Sequence, residues 1–241
     1  MTCLALGSVL ALAACGSAPR ATGINDPYEA GNRKVHAFNR GLDRAIVRPV
    51  ANTYGKTTPS PARRAISNVA ETLGLPATIL NDVLQLRIAD AGANTFRFLV
   101  NATFGLAGTI DVATEAGIAE NPSDFGETLY TWGVGEGAYV ELPVLGPSTV
   151  RATTGMVVDL ITNPLNNVFD GTDRAGATGA GVLAKVDDRY EARELIDEVL
   201  YESEDSYSQT RLLYLQNRRF NLTGEQDLDI SDLYDDIYGP E

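Results

Sequence analysis

The sequence predicts a mainly α-helical protein. Three observations support this. Apolar residues recur at helical spacing in most of the chain, strand-like alternation is confined to residues 138–144, and Pro and Gly clusters separate the periodic segments. No segment carries the roughly 20 apolar residues of a membrane-crossing helix, and no series of alternating strands suggests a barrel.

The first helix is expected to open at Asn25-Asp26-Pro27-Tyr28-Glu29, with Asp26 as N-cap, Pro27 at N1 and Glu29 closing a capping box. Tyr28, Val35, Phe38, Leu42 and Ile46 form one stripe, and Arg33, Arg40, Arg44 and Arg48 form a second on another face. Pro49 is expected to end this helix. Residues 62–73 read as a helix with Ile66, Val69 and Leu73 inward, stopped by Gly74. Pro76 is expected to open another, through Ile79, Val83, Leu84 and Leu86. Residues 90–104 read as helical, with Phe96, Leu99 and Val100 on the apolar side. Residues 105–113, punctuated by Gly105 and Gly108, read as a hairpin-like turn between helices.

Residues 119–149 promise little regular structure beyond the short strand. Helical pattern returns over 149–162, with Val150, Val157, Val158 and Ile161 apolar. Residues 171–181 read as a small-residue loop, and 187–220 as a long charged helix or helix pair. After the break at Gly224, Ile230, Leu233, Tyr234, Ile237 and Tyr238 keep helical spacing among aspartates. Such a short amphipathic helix needs a partner groove to be stable.

Residues 3–15 are an apolar run ending in Leu12-Ala13-Ala14-Cys15, which reads as a lipoprotein signal. Cleavage before Cys15 would make it the acylated first residue, and two or three acyl chains anchor a protein almost irreversibly. Ser17, the second residue after Cys15, favours export to an outer membrane. Met1-Thr2 lacks the usual basic residue of the signal grammar. The expected organisation is a signal over 1–15, a tether over 16–24, a helical domain over 25–220 and an acidic tail over 221–241.

The net charge of −13 is unevenly spread. Residues 187–241 hold 16 acidic and 5 basic side chains, whereas residues 20–97 hold 11 basic and 6 acidic. The cationic N-terminal part suits anionic headgroups, and the overall sign argues against nucleic acid. Cys3 lies within the signal, so no thiol pair remains for a disulfide. His36 is the single histidine, which removes His/Cys zinc chemistry. It reads as a surface or partly packed helix residue. No Gly-x-Ser-x-Gly elbow accompanies it. Asp124-Phe125-Gly126 and Gly133-Val134-Gly135-Glu136-Gly137 lack the surrounding kinase or nucleotide-binding motifs. No enzyme activity, metal or cofactor is expected.

An ordered set of segments resembles the MlaA (VacJ) family of outer-membrane lipoproteins. It comprises Asn25-Asp26-Pro27-Tyr28-Glu29 with Asn32-Arg33, Phe38-Asn39, Leu42-Asp43, Arg48-Pro49-Val50, Asn81 with Leu84-Gln85, and Arg97-Phe98 with Asn101. Gly105, Gly108 and Asp111 follow, then Asp124 to Leu129, Trp132-Gly133-Val134, Leu142-Pro143, Gly146-Pro147-Ser148, and Tyr207, Arg211 and Tyr214-Leu215-Gln216. Arg87, Ala138 and Ala152 depart from the family pattern.

The resemblance implies a mainly α, ring-like helical bundle embedded in one leaflet of the outer membrane, with a glycine-rich hairpin and a C-terminal amphipathic tail helix. It further implies removal of mislocalised phospholipids from the outer leaflet through an amphipathic channel, beside a trimeric porin, and delivery to a soluble periplasmic lipid carrier. Phe38 and Asn39 fall in a segment that lies near the channel in the family. On charge patterning, Arg33, Arg40 and Arg44 are expected near lipid phosphate, in the channel or at the headgroup plane. Gly105, Gly108 and Asp111 are candidates for a gate, Trp132 for an interfacial anchor, and the tail stripe Ile230, Leu233, Tyr234, Ile237 and Tyr238 for carrier binding. The alternative is a structural lipoprotein that escorts porins without transport. Loss of the protein would raise outer-leaflet phospholipid only under the transport reading.

Overall fold

The structure, a computed structural model, describes residues 23–223. Cys15 and the tail stripe from Ile230 to Tyr238 lie outside the described residues. In chain order the elements are α1 (Glu29–Leu42), a π-helical turn (Asp43–Val47), α2 (Arg48–Thr57), α3 (Ser60–Leu84), α4 (Ile88–Thr103), α5 (Val112–Glu115), α6 (Phe125–Thr131), β1 (Tyr139–Leu142) and β2 (Gly146–Thr149). Then follow α7 (Val150–Thr162), a 3-10 turn (Pro164–Asn167), α8 (Gly171–Glu191), α9 (Arg193–Asp197), a second π-helical turn (Glu198–Glu202) and α10 (Ser206–Thr223). The fold is mainly helical, as the sequence predicts. No helix among the described residues is long and apolar enough to cross a membrane.

The chain forms two compact units. The first gathers described residues 23–40, 125–156 and 197–223; the second gathers 41–124 and 157–196. In the first, β1 and β2 pair antiparallel with Tyr139 opposite Thr149 and Leu142 opposite Gly146. The turn between them needs positive φ at Val144 (69°) and Gly146 (82°). Alternation along β1 turns Tyr139 and Glu141 inward. Tyr139, Tyr207 and Leu215 form the apolar core, with Ile24 and Tyr214 against it. In the second unit, α3 packs on α4 and α8, and α2 on α8. A Cβ at Gly55 would fall 2.2 Å from the Tyr190 ring, so only glycine permits that approach.

Several elements differ from the sequence reading; residues 119–149, expected to hold little regular structure beyond one strand, form α6 and the paired strands β1 and β2. α1 begins at Glu29, and the Asp26 carboxylate accepts instead from Asn32 Nδ2 (2.9 Å), the Tyr207 hydroxyl and Arg211 Nη1 (2.6 Å). Pro49 lies inside helical structure, at the start of α2. The preceding π-turn closes with Arg48 N–H to the Asp43 carbonyl, and this wider register accommodates a residue with no N–H. Gly74 and Pro76 do not separate two helices, since α3 runs through both. Residues 171–181 are helical rather than loop. Packing of the C-terminal half of α8, which buries Asp187 and Arg189, outweighs the roughly 1 kcal/mol that each glycine withdraws.

The larger departure concerns which faces are inside. Ile66, Val69 and Leu73 are only partly covered, while the same helix buries Arg63, Thr72, Asn81 and Asp82. On α4 the stripe holding Phe96 (52% exposed) and Leu99 (53%) faces outward, and Ala91, Asn94, Arg97 and Asn101 face inward. On α7, Val157 and Ile161 are exposed and Arg151 is buried. In water each exposed side chain of this kind forgoes about 1.5–3 kcal/mol of burial.

Candidate functional site

The polar interiors are built from complementary hydrogen bonds. In the first unit, Asn32 Oδ1 accepts from Glu141 N–H (3.0 Å) and its Nδ2 donates to the Tyr139 carbonyl (3.2 Å), which ties α1 to β1. His36, one turn on, is buried rather than on the surface. Its Nδ1 lies 3.3 Å from Glu141 Oε1 and its Nε2 3.1 Å from Ser206 Oγ. Glu141 also accepts from the Tyr139 hydroxyl. Burial and that carboxylate both push the Tyr139 phenol well above its ordinary range. Ser206, His36 and Glu141 make a serine–imidazole–carboxylate chain, a geometry the sequence reading missed. All three side chains are buried, so the serine oxygen is closed to a substrate and the chain serves as a lock between α1, β1 and α10.

Arg219 pairs bidentately with Glu136 (2.8 and 2.9 Å). Arg151 stacks over the Tyr130 ring at 5.1 Å and donates to the Val134 carbonyl at 3.0 Å. Burial lowers its pKa.

In the second unit, Arg97 on α4 donates to Thr114 Oγ1 and Asp111 Oδ2 (both 3.1 Å) and to the Ile118 carbonyl. Asn101 Nδ2 donates to Asp111 Oδ1 at 2.9 Å. Burial raises the Asp111 pKa, but hydrogen bonds from Thr114 and Asn101 and the Arg97 charge outweigh it and leave the carboxyl below its usual range. Arg63 pairs with Asp187 and with Glu191 (2.7 Å), and Arg189 binds Asp43 through two bonds of 2.8 Å.

The expected site residues fall as follows. Arg33 is half-exposed and reaches Glu29 (2.7 Å), both oxygens of Asp205 and Ser208; the Asp205 bond raises its pKa further. Arg40 makes one long bond to Ser206 (3.5 Å) and lies over the Tyr201 ring at 5.9 Å. Both reach the segment that opens α10. Asn39 binds the β1–β2 turn, donating to the Leu142 carbonyl (2.9 Å) and accepting from Val144 N–H (2.8 Å). Phe38 is exposed. Arg44 is exposed within the first π-turn, in the other unit.

The turn after α4 is held at its base. A Cβ at Gly105 would lie 2.2 Å from the Ile110 carbonyl oxygen, and one at Gly108 2.8 Å from Thr72. Its apex, Leu106 and Ala107, takes left-handed conformations (φ 51° and 57°) with Leu106 exposed. Trp132 is partly exposed and meets Phe125 edge to face at 5.6 Å.

Sequence reasoning missed Asn94 and Glu141, and it quoted Asn32, Arg97 and Asn101 as motif residues without assigning them a role. For α4 the signal existed: Asn94, Arg97 and Asn101 repeat at helical spacing opposite the apolar stripe.

A mainly helical protein with buried polar networks and exposed apolar faces is the class this arrangement defines. Exposed apolar faces of this kind mark surfaces that contact a partner or a membrane. A family model described as MlaA lipoprotein matches residues 24–221. The intermembrane phospholipid transport system lipoprotein MlaA of Shigella flexneri is 34% identical over 228 residues, covering 93% of this chain and 89% of its own. An "Uncharacterized protein" of Rickettsia felis is 35% identical over 189 residues, covering 76% of this chain and 72% of its own. A chain solved in work on the structural basis for maintenance of bacterial outer membrane lipid asymmetry superposes with a TM-score of 0.72 at 34% identity, covering 82% of this chain and 99% of that chain. This chain belongs to the MlaA lipoprotein family.

Proposed function

We propose that this protein is the outer-membrane lipoprotein of an intermembrane phospholipid transport system. It is anchored through acylated Cys15, sits in one leaflet beside a trimeric porin, and takes up phospholipids misplaced in the outer leaflet. One observation carries the reading: buried arginines, asparagines and carboxylates lie behind exposed Phe96, Leu99, Phe104, Leu106, Leu160 and Ile161. A headgroup needs polar contacts along its path while the protein exterior meets acyl chains.

In this reading Arg33, Arg40 and Arg44 meet lipid phosphate, with Phe38 and Asn39 beside the lipid path. Gly105, Gly108 and Asp111 are the fixed base of a gate whose exposed apex moves. The apolar stripe from Ile230 to Tyr238 docks the soluble periplasmic carrier, and its aspartates steer that carrier's basic rim. Deletion of residues 224–241 should weaken carrier binding at least tenfold; unchanged affinity removes the tail role. The decisive test is genetic. Deleting the gene should raise phospholipid accessible at the cell surface, and restoring the wild-type chain should reverse it. Unchanged surface phospholipid would leave only a structural role beside the porin.

A further inference from the structure

In the second unit, a buried knot of polar side chains includes oxygen atoms that accept no hydrogen bond. Asp82 and Gln85 lie one turn apart at the end of α3, Asn94 on α4, and Asn121 and Ser123 on the segment after α5. Asp82 is 1% exposed and Asn94 0%. Asn94 Nδ2 donates to Asp82 Oδ2 (2.8 Å) and to the Asn121 carbonyl (3.0 Å), so both its N–H bonds are used and its amide orientation is fixed. Gln85 Nε2 donates to Ser123 Oγ (2.7 Å), and Ser123 also hydrogen-bonds the Asp82 carboxylate. Asp82 Oδ1 and Asn94 Oδ1 nevertheless have no hydrogen-bond partner. Burial outweighs the hydrogen bonds to Asp82 and pushes its carboxyl above the usual range, while Asp90 and Arg87 act on it with opposing effects. A buried carboxylate without a cation is costly.

We infer that these atoms bind a hard cation, Ca²⁺, through the Asp82 carboxylate, the side-chain carbonyls of Asn94 and Gln85 and the backbone carbonyl of Asn121. An all-oxygen set of one carboxylate and several carbonyls is calcium chemistry, not zinc chemistry. No three His, Cys, Asp or Glu side chains among the described residues are placed to hold a metal; this site differs in using amide and backbone oxygens. With a single negative ligand its dissociation constant falls near 10⁻⁴–10⁻³ M, the weak end of protein calcium sites. The ion would staple the end of α3 to α4 and to residues 121–123.

The test compares the unfolding temperature of the full chain in detergent with 10 mM Ca²⁺ or with chelator, for wild type and Asp82→Asn. Wild type should gain about 3–5 °C with Ca²⁺, Mg²⁺ should do less, and Asp82→Asn should not respond. Equal gains in both proteins would assign the effect to the acidic surface and overturn the site. No gain in wild type would also overturn it; stability that then rises between pH 7 and 5, and is matched by Asp82→Asn, would mean that a proton on Asp82 bridges to Asn94. Should Asp82→Asn fail to fold, Asn94→Asp decides. It adds a charged ligand and should tighten Ca²⁺ binding at least tenfold by calorimetry, whereas unchanged or absent binding overturns the proposal.

Discussion

Arg33 grips Asp205 with both ends of its guanidinium, Nη1 to Oδ1 at 3.0 Å and Nη2 to Oδ2 at 2.9 Å, across 172 residues of sequence. The pair ties α1 to the start of α10. The Arg33 hydrogen bond holds the Asp205 carboxyl far below the ordinary carboxylate range. A depressed carboxyl stabilises the fold above its unfolded pKa near 4, and that stability is lost as pH falls through the folded value. Both side chains are more than one-third exposed, so solvent screening reduces the coupling to about 0.5–1 kcal/mol. A double-mutant cycle of Arg33→Ala and Asp205→Ala should return that energy at pH 7, and Asp205→Asn should flatten the acid limb of stability.

Arg40 carries the lighter structural duty of the two. Its single long bond to Ser206 predicts that Arg40→Ala changes the unfolding temperature by less than about 2 °C. If Arg40 meets lipid phosphate, the same variant raises surface-accessible phospholipid in cells. Arg33→Ala should lower both stability and transport, so measuring the two quantities together separates the roles.

The Asp43–Arg189 pair is buried, with 12% and 8% of the side chains exposed. Asp43→Ala leaves a buried guanidinium without its carboxylate and should destabilise the protein by about 3–5 kcal/mol. Joint replacement by Asp43→Leu and Arg189→Met should recover most of that loss in urea unfolding. A double variant as unstable as the single one would show that the pair contributes net stability.

Two glycines should respond oppositely to alanine. A Cβ at Gly155 would lie 2.2 Å from Gly126 N, a backbone atom that cannot turn aside. Gly155→Ala should therefore destabilise by about 1–3 kcal/mol. Gly176, within α8, has open space around its Cβ position, and Gly176→Ala should stabilise by about 0.5–1 kcal/mol. Thermal unfolding of the two variants checks both signs.

Helices were legible wherever apolar residues kept a 3.6 period, as over Val150–Thr162, and the short strand at Tyr139–Leu142 was visible in its alternation. Periodicity locates a stripe but carries no sign. Phe96 and Leu99 share a face whether it turns inward or outward, whereas Ile66, Val69 and Leu73 were expected inward and are only partly covered. Pro49, Pro76 and the glycines of α8 misled because local propensity is weaker than tertiary packing. The fate of His36 depended on Glu141 and Ser206, which lie 105 and 170 residues away in sequence. No local pattern encodes such a meeting. The ordered family motifs located the chain among its relatives without revealing these contacts.

The central claim is that the apolar exterior faces lipid. Spin labels placed one at a time at Leu99 and Leu160 in outer-membrane vesicles test it through their collision rates with oxygen and with a water-soluble nickel chelate. Both sites should favour oxygen, with the chelate nearly excluded, as for a nitroxide among acyl chains. Free access of the chelate at both positions would place these faces in water and contradict the account.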